Sequence, residues 1–196
     1  MDLTNTAFIF VGYQNDYFAE DGILRAVIEE ADRNQHILEN TLTLLEKVKE
    51  LPTTLIQTPI VFTDDYSELT NPVGILKAVK DANAFRQGTK GGDTIDSFKA
   101  YGDRILTVHG KRGLNAFSNT ELEKTLESKG ITHVVLAGAV TSICIDSTGR
   151  AAHERGYSVS ILSDCTASRT AMEQEFYCEN IFPLYAEVID SKSLLS

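Results

Sequence analysis

Cys144 is the residue in this chain best placed for covalent chemistry. It lies in Gly138-Ala139-Val140-Thr141-Ser142-Ile143-Cys144, after the most apolar strand-like run, residues 131–137, and before a segment that reads as a helix ending ahead of Gly156-Tyr157. Strand, tight turn and helix in that order put a thiol near a helix N-terminus, where unpaired backbone N–H groups and partial positive charge stabilise a thiolate. The competing reading is a small buried apolar residue, since free cysteine is among the most buried types. Lys111, between Gly110 and Gly113 just past another strand-like run, would favour the thiolate beside it and hold negative charge that develops in a transition state. Taken alone, a lysine is more often a solvated surface group. A third candidate is the polar loop from Gly12 to Asp16, for which the bland reading is turn chemistry by Asn15 and Asp16.

These three stretches can meet only if the elements before them are aligned strands. Residues 7–11, 59–63, 104–109, 131–137, 157–162 and 186–189 read as strands, the first as a continuous apolar run of the kind buried on both faces. Between them, Ile37, Leu38, Leu42, Leu45 and Val48 recur at helical spacing and predict one long amphipathic helix over 28–50, stopped by Leu51-Pro52. Thr120 and Glu123 have the spacing of a capping box for a helix over 121–129, and 171–181 predicts another. The segment 69–101 reads as a connecting loop with short helices, and its Gly88, Gly91 and Gly92 around Lys90 lack the ending of a phosphate-binding loop. Strands alternating with helices imply an α/β fold, a three-layer α/β/α arrangement around a mainly parallel, Rossmann-like sheet of about six strands. In such a sheet the loops after successive strands converge on one edge. With no linker or repeat, residues 1–196 are expected to form one domain.

Composition narrows the function classes. A formal net charge of −10 without a basic cluster disfavours nucleic acid as a partner. No apolar run approaches the roughly 18 residues of a membrane span, and the start of the chain lacks the basic residues of a signal peptide, so a cytoplasmic protein without a membrane partner is expected. Cys144, Cys165 and Cys178 are odd in number and not at metal-type spacing, which points to free thiols. Asp64 and Asp65 could act as acid and base or hold a metal, but no histidine lies near them and a solvated loop is the expectation.

Taken together, Gln14-Asn15-Asp16-Tyr17-Phe18, Gly88-Thr89, Lys111, Asn115-Ala116-Phe117, Thr120-Glu121-Leu122, the run from Gly138 to Cys144, Thr148, Ala152, Gly156-Tyr157 and Asp164 with Ala167-Ser168 resemble the isochorismatase-like cysteine hydrolases. That superfamily includes nicotinamidases, N-carbamoylsarcosine amidohydrolases and related small-amide hydrolases. The resemblance covers nearly the whole chain. It implies that Cys144 is a nucleophile and Lys111 the cation beside it. It also implies an oxyanion hole in the turn of Val140, Thr141 and Cys144, with a cis peptide between Val140 and Thr141. The family's catalytic aspartate falls at Gly12, which cannot carry a proton. Asp65 and Ser67 match an Asp-x-His metal pair that has lost its histidine, so neither a metal nor another cofactor is expected.

Two functions follow from this. In the first the chain hydrolyses a small amide or a vinyl ether, with Asp16 or His109 as a substitute base for the amide case. In the second it is an impaired relative that binds a small molecule or a protein partner. A nicotinamide-dependent oxidoreductase is a remote third, because no G-x-G-x-x-G follows the first strand. Selectivity would come from residues 64–90 and from the segment after Asp164. Relatives of this kind associate, and a patch of Phe176, Phe182 and Leu184 predicts a homo-oligomer.

Overall fold

The computed structural model describes residues 2–195. All six residues of β1 (Thr6–Val11) are buried. Ala7, Ile9 and Val11 point into one core and Phe8 and Phe10 into the other, so the continuous apolar run reflects two covered faces. After it come α1 (Asn15–Phe18), α2 (Arg25–Gln35), α3 (Ile37–Val48), β2 (Thr54–Thr58), α4 (Gly74–Ala82), α5 (Asp96–Lys99) and β3 (Leu106–Thr107). The second half has α6 (Leu122–Ser128), β4 (His133–Ala139), a π-type turn over Thr141–Ile145, α7 (Asp146–Glu154), β5 (Ser158–Ala167), α8 (Ala171–Phe176) and β6 (Glu187–Ile189). The strands form one sheet in the order β3-β2-β1-β4-β5-β6, every neighbouring pair parallel. Ile28, Leu44 and Leu45 cover one face of it, and Leu122, Leu126 and Ala152 the other. This is the three-layer α/β/α fold expected from the sequence. The strand order reverses between β1 and β4, where ligands bind at the C-terminal ends in sheets of this type.

Several elements differ from their sequence expectation for local reasons. The long helix is two, broken at His36, whose left-handed backbone (φ 54) ends α2 while the Asp32 carboxylate accepts from Leu38 N–H at 3.2 Å to start α3. The second strand is Thr54–Thr58 rather than 59–63. Pro59 has no N–H for the ladder, and beyond it Ile60 and Phe62 make only single bridges, to Lys111 and Arg86. The third strand shrinks to two laddered residues at the sheet edge. Within 69–101 a helix does form, α4, ended by Asn83 in the left-handed conformation. Thr120 accepts from Leu122 N–H at 3.2 Å, but Glu123 pairs with Arg155 instead of closing a capping box. The helix predicted over 171–181 is α-helical only to Phe176 and continues as a π-type turn, Tyr177–Ile181. Phe182 is fully buried in the core, so it belongs to no surface patch; Met172, Phe176 and Leu184 are the exposed apolar residues of that region.

The closest approach in the fold is between β1 and β4. Gly138 pairs with Val11, and a Cβ added to Gly138 (φ 127) would lie 1.9 Å from the Val11 carbonyl oxygen. Gly138→Ala should therefore destabilise by about 3 kcal/mol or more, because backbone and not a flexible side chain must move. Gly130→Ala, where φ is 64 and nothing lies within 4 Å, should cost only about 1 kcal/mol. Urea unfolding midpoints of the two variants, measured against the wild type, check the difference.

Candidate active site

Three chain segments meet at the C-terminal edge of the sheet. β1 runs out into Gly12, β4 runs into the turn that carries Cys144, and the bridge between Ile60 and Lys111 draws Lys111 alongside the extension of β2. Lys111 is 1% exposed, and its Nζ lies 3.4 Å from Cys144 Sγ and donates to Gly113 O at 2.6 Å. Among the described residues it pairs with no carboxylate. A buried ammonium is costly unless acceptors surround it, so the sulfur and the carbonyl are central to holding it. Cys144 is 9% exposed and lines a narrow pocket of about 20 Å³ whose other walls include Gly12, Tyr17, Thr58 and Ile143. Lys111 is the one charged side chain among the described residues that line it.

The turn before α7 is braced from outside. Val140 O accepts from Ile143 N–H at 3.0 Å and Ile145 N–H at 3.2 Å. Thr141 Oγ1 donates to Gln174 Oε1 at 2.7 Å, and the buried Gln174 amide donates to Ser163 O and Thr166 Oγ1, each at 3.0 Å. Gln174 thus ties the turn that carries Cys144 to β5, a role with no sequence signal beyond a polar residue in an otherwise ordinary helix. The cis peptide lies between Ala139 and Val140, one residue earlier than expected between Val140 and Thr141. The β4 ladder ends at Ala139 and the turn starts at Thr141, which leaves Val140 as the joint.

Of the other candidates, only Gly12 shares the pocket of Cys144. Gly12 lines the pocket with φ 77, and a Cβ there would lie 3.1 Å from Ala139 O and 3.5 Å from the Tyr17 ring. Asp16 is buried, its Oδ2 accepts from Phe85 N–H at 2.6 Å, which fastens the loop before α5, and it is not among the pocket walls. His109 is exposed, two residues before Lys111, and is not among the pocket walls. Gln14 is scaffold too: its amide group donates to Ile60 O and Gly92 O and accepts from Ile60 N–H. Asp65 accepts from Thr63 Oγ1 and Ser67 N–H within its own loop, and among the described residues no group of three or more His, Cys, Asp or Glu side chains is gathered as a metal would require. Of the segments expected to set selectivity, α4 and Phe85 contribute walls through Ile75, Leu76 and Val79. Arg169, Glu173 and Tyr177 border a shallower depression next to it.

Thr58 and Tyr17 are pocket residues that the sequence reading missed. Burial raises the Tyr17 phenol well above its ordinary range, and negative charge at Cys144 and Asp16 adds to that, so Tyr17 remains protonated. Burial also pushes the Cys165 thiol up to about 12 and the Cys178 thiol to about 11. Those two are almost wholly uncharged at neutral pH, whereas Cys144 has an ammonium against its sulfur. Iodoacetamide at neutral pH should label Cys144 first, and Cys178 only as the pH approaches 11. Peptide mapping at a series of pH values reads this directly, and early labelling of Cys178 would contradict it.

Comparison with known proteins agrees with this geometry. The model of the isochorismatase domain matches residues 6–193. Among curated proteins, the chain is similar to nicotinamidase 3 of Arabidopsis thaliana, 24% identical over 158 residues, 81% of this chain and 77% of the relative. It is also similar to the ureidoacrylate amidohydrolase of an Enterobacter species, 27% identical over 176 residues, with 83% and 75% covered. Among solved structures, a cysteine hydrolase from Pseudomonas syringae pv. phaseolicola superposes with a TM-score of 0.84 at 20% identity, over 100% of this chain and 92% of that one. With the family match spanning nearly all of the chain and the fold shared throughout, this chain belongs to the isochorismatase domain family of hydrolases.

Proposed function

We propose that residues 1–196 form one hydrolase domain that cleaves a small amide through Cys144. The observation that carries this reading is the 3.4 Å contact between Lys111 Nζ and Cys144 Sγ in a pocket otherwise walled by uncharged groups. The sulfur attacks the amide carbon, and the oxyanion that forms is held by N–H groups of the Val140, Thr141 and Cys144 turn together with Lys111. The amine departs with the proton given up by the thiol, leaving a thioester, and water then cleaves that thioester, supplying the oxygen of the carboxylic acid and the proton that restores the thiol. The similarity to a nicotinamidase and a ureidoacrylate amidohydrolase supports an amide over a vinyl ether. The three free thiols support a cytoplasmic site of action. Exposed Met172, Phe176 and Leu184 support a homo-oligomer, which light scattering well above the 21.6 kDa of one chain would register.

One observation favours a second reading. With glycine at position 12 and Asp16 turned to Phe85, no carboxylate lines the pocket among the described residues. A chain without a general base could retain binding and lose turnover, since such a base contributes roughly 10² to 10⁴ in rate.

A screen of small amides against the wild type, Cys144→Ala and Gly12→Asp separates the two. Cys144→Ala should abolish turnover. Gly12→Asp should raise kcat by about 10² with a smaller change in KM, while losing about 1–2 kcal/mol of stability because φ at position 12 is positive. If none of the three turns over any amide while a small molecule still protects Cys144 from alkylation, the binding reading replaces the hydrolase.

A further inference from the structure

We infer that the pocket between Gly12, Lys111 and Thr58 is a binding site for a small carboxylate, held by the Lys111 ammonium and the Thr58 hydroxyl. Thr58 is the last residue of β2 and, by alternation along the strand, shares the sheet face of Ile56, which packs in one core with Val11 and Cys144. It is fully buried, it lines the same pocket as Cys144, and its Oγ1 has no hydrogen-bond partner. Among the described residues Ser142 Oγ shares this state, whereas Thr53 donates to Thr6 O at 2.8 Å, Thr141 and Ser168 donate to Gln174, and Thr148 accepts from Ala116 N–H. A buried hydroxyl without a partner in a folded protein calls for an explanation, and a ligand group is one.

Lys111 supplies the second half of the site. An ammonium has three donor hydrogens; Gly113 O and Cys144 Sγ take two, which leaves one. The pocket therefore offers two unused donors and one positive charge, with no carboxylate among its described walls to neutralise it. A monoanion with two oxygens matches two donors. A phosphate would bring more charge and more oxygens than the apolar walls of Ile75, Val79 and Phe85 could satisfy. The carboxylate can be a free acid such as formate or a group carried by the substrate itself. The second source rests on the hydrolase reading above; the site as such does not.

Thermal unfolding in sodium formate against an equal concentration of sodium chloride tests the site without any turnover. Saturating formate should raise the wild-type midpoint by about 3 °C relative to chloride, the shift expected for roughly tenfold excess over Kd in a chain of this length. The shift should vanish in Thr58→Val and in Lys111→Met. Thr58→Val should fold at least as well as the wild type in chloride, because it removes an unpaired buried hydroxyl. A matched pair of amides, one neutral and one bearing a carboxylate, distinguishes the sources. If the substrate supplies the group, kcat/KM should favour the charged amide by about tenfold in the wild type and lose that preference in Thr58→Val; equal rates together with the formate shift assign the site to a free acid. No difference between formate and chloride, or a formate shift that survives in both variants, overturns the site. A formate shift without turnover of any amide leaves the site standing and removes the hydrolase reading instead.

Discussion

The parallel pairing of β1 with β4 is the contact on which the other features depend. These two central strands lie side by side where the strand order reverses, with Val11 opposite Gly138, so their C-terminal ends deliver Gly12 and the Cys144 turn to one place. The register cannot drift. A shift of one residue would exchange the two buried faces of β1, and it would also bring a residue with a side chain to the point where the Val11 carbonyl leaves no room for a Cβ. Gly138 is thus a condition of the site as well as of the sheet.

Within that frame, the buried Lys111 ammonium organises the chemistry. Its desolvation is offset by the Gly113 carbonyl and by the Cys144 sulfur, and among the described residues no carboxylate shares the task. The pocket consequently has a fixed positive charge in an apolar setting, where an electrostatic interaction is stronger than in water. Negative charge on the sulfur, on an oxyanion or on a bound ligand is favoured there for the same reason. The shallower depression beyond it differs, because its charges are already matched: Arg150 with Asp146 and Arg169 with Glu173.

Much of this was legible in the sequence, and the parts that were not share a cause. The strand-turn-helix around Cys144, the placement of Lys111 past a strand end and the alternation of elements depend on local pattern, and the six parallel strands follow from it. The break at His36 was hidden because the apolar spacing continues across it, while the interruption comes from one left-handed residue and the Asp32 carboxylate. The extent of β2 was misjudged because apolar Ile60 and Phe62 are buried without joining a ladder. Thr58 and Gln174 carried no signal at all. Their roles come from contacts made across the sheet, in one case to Thr141 from 33 positions away, and a single sequence does not encode such contacts in any local period. Asp16 was singled out for its chemical type, yet a carboxylate accepts a backbone N–H as readily as a proton, and the Phe85 amide is what it faces.

The loop after β1 shows how completely scaffold and chemistry can be divided among neighbouring residues. Tyr13 stacks between Phe18 and Phe98, and its hydroxyl reaches Thr41 and the Cys165 carbonyl. Gln14 takes both backbone groups of Ile60, and Asp16 takes the Phe85 amide. Every one of these anchors lies after position 12, and the one backbone bond made by Gly12 in the loop, from Gln14 N–H to its carbonyl at 2.8 Å, needs no side chain. The loop would therefore keep its place whatever residue stood at position 12, within what a φ of 77 allows. Of the loop residues, Gly12 and Tyr17 line the pocket with Cys144, and the Tyr17 phenol stays protonated. With glycine at 12 the pocket has no carboxylate among its described walls, and the polar side chains that line it are those of Tyr17, Thr58, Lys111 and Cys144.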